Sequence, residues 1–216
     1  MSKTIGLILA VVSMAAVALP TGAIAQEIHS TNVTVFSGTT GAGTFTAEGE
    51  PTITCGGIEN LSHATGTVSA GGTTGTTEVD LTNCHTSVFG FTAKCRTEGS
   101  ALDDTIKTTN TFHLITANGK PASLVTGTVA TVICAGISSM KVSGNLIWTI
   151  TSPACGGSSN SMTLRTTASG STQEDKTYTG VTYNPTVQTN GGASKEAGVT
   201  AEVTGSSPTV GTLNCT

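Results

Sequence analysis

The chain alternates apolar and polar residues over many short stretches, a pattern typical of β-strands with one buried face. In EVDLTNC, Val79 and Leu81 fall on one face, and Glu78, Asp80 and Thr82 fall on the other. The same period of two recurs in the stretches NTFHLITA, SLVTGTVATVIC, NLIWTITS, SMTLRTTA, GVTYNPTV and GVTAEVTG. No window sustains an apolar repeat at helical spacing. The pattern therefore predicts an all-β fold.

One further stretch, SVFGFTAKC, alternates in the same way. Phe89, Phe91, Ala93 and Cys95 recur at every second position. Because this is the spacing of one face of a strand, the stretch is predicted to be a single strand.

Composition agrees with short strands joined by tight turns. Thr occurs 44 times and Gly 27 times in 216 residues. Thr is stiff at χ1 and fits a pleated surface, and Gly supplies turn conformations. Such tracts also occur in disordered chains, but 37% hydrophobic residues and the period-2 pattern argue against disorder. We expect an antiparallel β-sandwich or barrel.

Four nearly identical letters recur three times, as TITC at 52–55, TVIC at 131–134 and TLNC at 212–215. This recurrence predicts two degenerate copies of one β unit, at 51–133 and 134–216, which follow an N-terminal strand segment at 26–50. The two units could pack as one body. Chance similarity remains an alternative, because a Thr/Gly-rich background inflates self-similarity.

The first 25 residues have the features of a secretory signal peptide. Lys3 precedes an apolar run, and the small residues Ala23 and Ala25 come just before the predicted cleavage site, which lies between Ala25 and Gln26. The mature chain is therefore predicted to be secreted or extracytoplasmic, and to contain no membrane span.

All six cysteines follow the predicted cleavage site. An even number in an oxidising compartment predicts disulfides. If each unit closes itself in the same way, the pairs are Cys55–Cys84, Cys134–Cys155 and Cys95–Cys215. The main competing arrangement joins Cys84 to Cys95 across the turn HTSVFG, residues 85–90.

The sequence contains little that indicates catalysis or a cofactor. It has neither G-x-S-x-G nor H-E-x-x-H, so we predict no enzyme and no catalytic, metal or cofactor site, although a triad built from distant residues stays open. The net charge of −4 and the low content of charged residues lack the basic footprint of a nucleic-acid-binding protein.

Three aromatic residues are candidates for recognition. Tyr178 and Tyr183 lie in QEDKTYTGVTYNP beside a charge cluster, and Trp148 is the only tryptophan. Tyr and Trp offer rigid amphipathic contact area. Alternatively, Trp148 belongs to the core and the tyrosines are half-buried at a hairpin tip.

The recurring Thr-aliphatic-x-Cys motif, the GTV and TLNC stretches and the sparse charge resemble uncharacterised secreted Thr/Gly-rich β proteins of actinobacteria and related soil bacteria. The likeness is compositional and covers most of the predicted mature chain. It implies export and a disulfide-bonded β fold, and it brings no site residues.

These observations favour one class of function and leave one alternative open. The leading interpretation is an exported non-enzymatic protein that acts by surface contact at or outside the cell envelope, with an envelope component, a glycan or a protein as partner. The alternative is a carbohydrate-binding or carbohydrate-cleaving β-sandwich module. The alternative is favoured if Trp148, Tyr178 and Tyr183 line one exposed face.

Overall fold

The structure is a computed structural model that describes residues 28–30, 34–56, 63–68, 71–152, 161–206 and 213–215. The predicted signal peptide and Cys155 lie outside these residues. The described residues form β-strands and connecting turns without helices, so the all-β prediction is confirmed. Accordingly, none of the described residues belongs to a helix that could cross a membrane.

The strands are named in chain order. They are β1 (Ile28–Ser30), β2 (Thr34–Ala47), β3 (Ile53–Cys55), β4 (His63–Val68), β5 (Thr74–Leu81), β6 (Cys84–Val88), β7 (Phe91–Thr97), β8 (Ile106–Ala117), β9 (Lys120–Cys134), β10 (Ser138–Ser152), β11 (Ser161–Thr166), β12 (Ala168–Ser169), β13 (Thr172–Gln173), β14 (Thr177–Tyr178), β15 (Val181–Thr182), β16 (Pro185–Thr189), β17 (Ser194–Ser206) and β18 (Leu213–Cys215).

Four long strands, β2, β9, β10 and β17, form the frame of a large antiparallel sheet. At one end of the frame the pairings run β9–β10–β16–β17–β2–β3–β6–β7 and return to β9. At the other end they run β9–β10–β11–β17–β2–β4–β5–β8 and return to β9. We call these the first and the second circuit. Each one is closed, so neither circuit ends in an edge strand.

Inside the circuits, two clusters of apolar side chains form the core. The first cluster contains all four described buried cysteines, together with Ile53, Val132, Met140 and Val187. The second cluster gathers Val68, Phe112, Leu114, Val125 and Ile150. Apolar residues at every second strand position fill this interior, as the period of two predicts. Strands from both predicted units contribute to one sheet.

A third cluster lies on the outer face of β8, β9 and β10. Ile115, Leu124 and Ile147 are buried there, and Tyr178 and Tyr183 pack against them. The tyrosines belong to residues 167–184, which leave the sheet between β11 and β16, and the part that carries the tyrosines covers this face. The alternation along β8 and β10 therefore buries apolar residues on both faces at this place.

Gln173 attaches this covering segment to the sheet. It is buried, its Nε2 donates to the carbonyl of Val199 at 3.1 Å, and its Oε1 accepts from the Val199 N–H at 2.9 Å. Val199 lies in β17 between the residues that pair with β16 and those that pair with β11. The side-chain amide thus satisfies backbone groups that have no strand partner on that side.

Candidate functional site

The most exposed large apolar side chains lie at the tip of the β6–β7 hairpin. Val88 pairs with Phe91, and Phe89 and Gly90 form a two-residue turn with φ of 49° and 81°. Phe89 is 95% exposed and Phe91 is 77% exposed. We call Phe89, Gly90 and Phe91 the phenylalanine tip. The prediction of one continuous strand through SVFGFTAKC is therefore wrong, because the chain reverses at Phe89 and Gly90.

Phe89 is an unusual residue for this turn. A two-residue turn with positive φ at both positions favours Asn-Gly, because Asn tolerates the left-handed conformation and can bond nearby backbone. The β8–β9 hairpin follows that rule with Asn118 and Gly119 at φ of 52° and 73°. For a bulky residue, positive φ is a genuine outlier. Phe89 thus combines an unfavourable backbone conformation with nearly complete exposure.

Two disulfides hold the hairpin that carries the tip. Cys84 of β6 is bonded to Cys55 of β3, and Cys95 of β7 is bonded to Cys134 of β9. Each pair occupies directly opposite positions on neighbouring strands, with Cα atoms 4.0 and 4.1 Å apart. Each strand of the hairpin is therefore covalently joined to its neighbouring strand in the first circuit.

This arrangement confirms one predicted disulfide and corrects two. Cys55–Cys84 is confirmed, whereas the predicted pairs Cys134–Cys155 and Cys95–Cys215 are wrong, because Cys95 and Cys134 are bonded to each other. The physical reason is the order of strands in the sheet, which places the end of β9 beside β7. The equivalence of the cysteines in two repeated units therefore does not hold for Cys55 and Cys134.

A shallow groove adjoins the phenylalanine tip. Its apolar lining includes Val88, Ala93, Ile133 and Ile137. Charged side chains of both signs also line it, since Lys94, Arg96 and Asp103 are among its residues. Arg96 lies 3.5 Å from Asp103, and Lys94 lies 3.5 Å from Asp104 just beyond. The tip and the groove together form an apolar surface bordered by balanced charges.

The structure separates the three aromatic residues predicted as recognition candidates. Trp148 packs against the second core cluster and lines the interior. Tyr178 and Tyr183 are half-buried against the third cluster on the outer face. The three rings therefore do not share one exposed face, which was the observation expected of the carbohydrate-binding alternative. A recognition role for either tyrosine alone stays a prediction.

Some charged side chains of the described residues form ion pairs across neighbouring strands. Lys107 of β8 lies 2.9 Å from Glu78 and 3.6 Å from Asp80, both on β5. The hydrogen bond with Glu78, followed by the charge of Asp80, raises the pKa of Lys107 above its ordinary value. No group of three or more His, Cys, Asp or Glu that could hold a metal ion occurs among the residues that the structure describes.

The interior of the two circuits contains a second candidate site, a cavity of about 160 Å³. Apolar side chains from both circuits line it, including Ile53, Leu114, Val125, Val132 and Val203. An empty cavity of this volume costs about 4 kcal/mol of stability at the dependence measured for core cavities. The closed circuits keep the opposite walls from collapsing into this space.

Comparisons with known proteins give this chain no relative. No protein-family model matches the sequence, and no curated protein or solved structure is significantly similar to it. The phenylalanine tip and the interior cavity are therefore the features that bear on function.

Proposed function

We propose that this chain is an exported, non-enzymatic protein that acts by surface contact, and that the phenylalanine tip is its contact site for a protein partner at or outside the cell envelope. The observation that carries the proposal is Phe89, which is 95% exposed at φ 49°. A bulky residue in a left-handed conformation costs on the order of 1 kcal/mol or more. Phe89 contributes no core burial in return, so its side chain is best explained by a contact outside the molecule.

The energetics suit a contact site. Full burial of a Phe side chain stabilises by about 1.5–3 kcal/mol, so Phe89 and Phe91 together can dominate a small interface. The disulfides at Cys84 and Cys95 fix both strands below the tip. Because the tip is already ordered, little conformational entropy is lost when a partner binds.

The surroundings favour a protein over a membrane or a glycan. An apolar centre with a polar border of both charges is the usual composition of a protein interface. Lys94 and Arg96 are each close to an aspartate, so the groove presents no net positive patch of the kind that attracts anionic lipids. The tip carries neither of the aromatic residues with a polar group, Tyr and Trp, that suit a partly polar ligand.

Export is supported by two features. Residues 1–25 have the features of a signal peptide. Two disulfides are consistent with folding in an oxidising compartment.

The proposal is tested by placing a photoreactive phenylalanine analogue at position 89 of the mature protein. The matched control carries the analogue at position 118, in another two-residue turn of the same backbone type. Both proteins are irradiated with an envelope and culture-supernatant fraction of the producing cells. We expect a discrete protein adduct at position 89 that is absent at position 118. The adduct is identified, and its protein is purified for a binding measurement.

The purified partner then decides the proposal. Phe89→Asn should weaken its binding at least tenfold while Asn118→Ala leaves the affinity unchanged. Equal affinity for the wild type and Phe89→Asn would contradict the proposal. So would equal labelling from positions 89 and 118, adducts only with a second copy of this chain, or Phe89-dependent binding to lipid vesicles or polysaccharide without any protein adduct.

A further inference from the structure

We infer that the interior cavity is a binding site for a small, neutral, apolar molecule. This inference is independent of the phenylalanine tip, because it rests on residues inside the circuits. The cavity of about 160 Å³ is close in size to an engineered apolar cavity of about 150 Å³ that stays dry and binds benzene or xenon. The ligand is therefore expected to be about as large as a single aromatic ring.

The lining determines the chemical class of the ligand. None of the described residues that line the cavity carries a charge. The polar side chains near Asn110 bond to each other, since Thr128 donates to Asn110 Oδ1 at 2.9 Å and Asn110 Nδ2 donates to Thr108 at 3.2 Å. A ligand is not needed to satisfy these groups, and a charged ligand would find no counter-charge. The cavity therefore favours neutral apolar molecules.

The cavity results from small residues on a rigid wall. Ala64, Ser123, Ala130 and Ala201 line it, and each is at most 6% exposed. They lie on three strands, β4, β9 and β17, where a larger apolar residue would fill the space. Protein interiors rarely keep voids of this size, because close packing is more stable. Met162 and Leu164 of β11 also line the cavity, and the flexible Met side chain can adapt to different ligands.

The test uses benzene as the probe on the mature disulfide-bonded protein. At a benzene concentration about ten times its Kd, the Tm should rise by roughly 3–6 °C, as expected when a ligand binds only the folded state of a chain of this size. A chemical-shift change of dissolved ¹²⁹Xe on addition of the wild-type protein provides an independent readout. Absence of both effects would overturn the inference.

Variants that fill the cavity test whether benzene binds there. Ala201→Leu and, separately, Ala130→Leu fill the cavity from different strands and should abolish the Tm rise with benzene. Val129→Leu is the matched control, because Val129 is on β9 beside Ala130 but is 64% exposed. It should leave the rise unchanged. A rise of equal size in the wild type and in a folded filling variant would overturn the inference, since benzene would then bind elsewhere.

If both filling variants fail to fold, Leu164→Ala decides, because it enlarges the cavity. It should then bind a larger probe, indole, better than the wild type does, and equal indole binding would overturn the inference. Phe89→Asn should keep the full benzene response. A lost response in that variant would place the apolar site at the phenylalanine tip, so failure of this inference is distinguishable from failure of the proposed function.

Discussion

Two hairpins of this protein share a turn geometry but carry opposite kinds of tip. The β8–β9 hairpin turns through Asn118 and Gly119, the pair that the geometry favours, and next to this turn it is held by strand pairing and by the outer cluster. The bonded Cys134 lies at the far end of β9. The β6–β7 hairpin turns through Phe89 and Gly90 and is held by disulfides on both strands.

The difference separates what the backbone requires from what the surface presents. Asn118 is explained by local conformation alone. Phe89 opposes local conformation, and it lies on a hairpin whose two strands are each bonded by a disulfide to a neighbouring strand. A residue that is unfavourable for its turn, exposed, and rigidly supported is expected to act outside the fold.

The largest expected effect concerns the two disulfides that support the β6–β7 hairpin. The double variant Cys95→Ser, Cys134→Ser opens a 39-residue loop and should lower the free energy of unfolding by about 4 kcal/mol, measured by urea denaturation. The matched double variant Cys55→Ser, Cys84→Ser opens a 29-residue loop and should cost about 3.5 kcal/mol. In both variants, amide exchange should accelerate in β6 and β7 more than at Asn118 and Gly119. Equal acceleration of amide exchange in the two hairpins would show that the disulfides do not support the β6–β7 hairpin in particular.

Peptide mapping under non-reducing conditions tests the same support without mutation. It should find Cys55 joined to Cys84 and Cys95 joined to Cys134. A peptide that joins Cys84 to Cys95 would mean that the hairpin is closed on itself and is not bonded to its neighbours.

A smaller effect is expected when the favourable turn is made unfavourable. Asn118→Phe places a bulky residue at φ 52° and should lower the free energy of unfolding by about 1 kcal/mol. The variant also loses a long hydrogen bond of 3.4 Å from Asn118 Nδ2 to Asp175, so Asn118→Gly, which loses the same contact without a Cβ, serves as the control. If Asn118→Phe is as stable as Asn118→Gly, the turn imposes no cost on Phe, and Phe89 is not in an unfavourable conformation.

The smallest effect concerns a turn held by charge instead of by disulfides. Glu50, in the turn after β2, accepts a hydrogen bond of 2.6 Å from Lys195 of β17. This bond lowers the pKa of Glu50 below its ordinary value of 4.5. Because the folded state has the lower pKa, the stabilisation is fully present above the unfolded pKa and is lost as the pH falls through the folded pKa.

Glu50→Gln should therefore be less stable than the wild type by at most about 1 kcal/mol at pH 7, which is the usual upper range for a surface ion pair. The difference should shrink as the pH is lowered below 4.5, measured by thermal unfolding at a series of pH values. A difference that stays constant down to strongly acidic pH would show that the ion pair is not its cause.

The fold class could be predicted from the sequence, because Thr-rich period-2 stretches leave few alternatives to strands. The pairing of Cys95 with Cys134 could not, since it depends on β7 and β9 being neighbours, which no local pattern records. Cys55–Cys84 was accessible because a single closing loop joins consecutive cysteines.

The phenylalanine tip was missed for a physical reason. Phe89 and Phe91 have high strand propensity and continue the alternation, so the pattern extends through the turn. Gly90 was the available signal, because an isolated Gly inside a strand pattern marks a bulge or a turn. Two further two-residue turns among the described residues also end in Gly, at Gly119 and Gly180, and their first residues are polar.

The most direct test of the account is the free energy of unfolding of Phe89→Asn, measured by urea denaturation of the disulfide-bonded mature protein. Asn-Gly is the pair that this turn favours, and Phe89 is 95% exposed, so the variant loses no buried area. The account predicts that Phe89→Asn is more stable than the wild type by about 1 kcal/mol. A variant that is less stable than the wild type would show that Phe89 serves the fold, and would contradict the claim that it is held in this turn for contact.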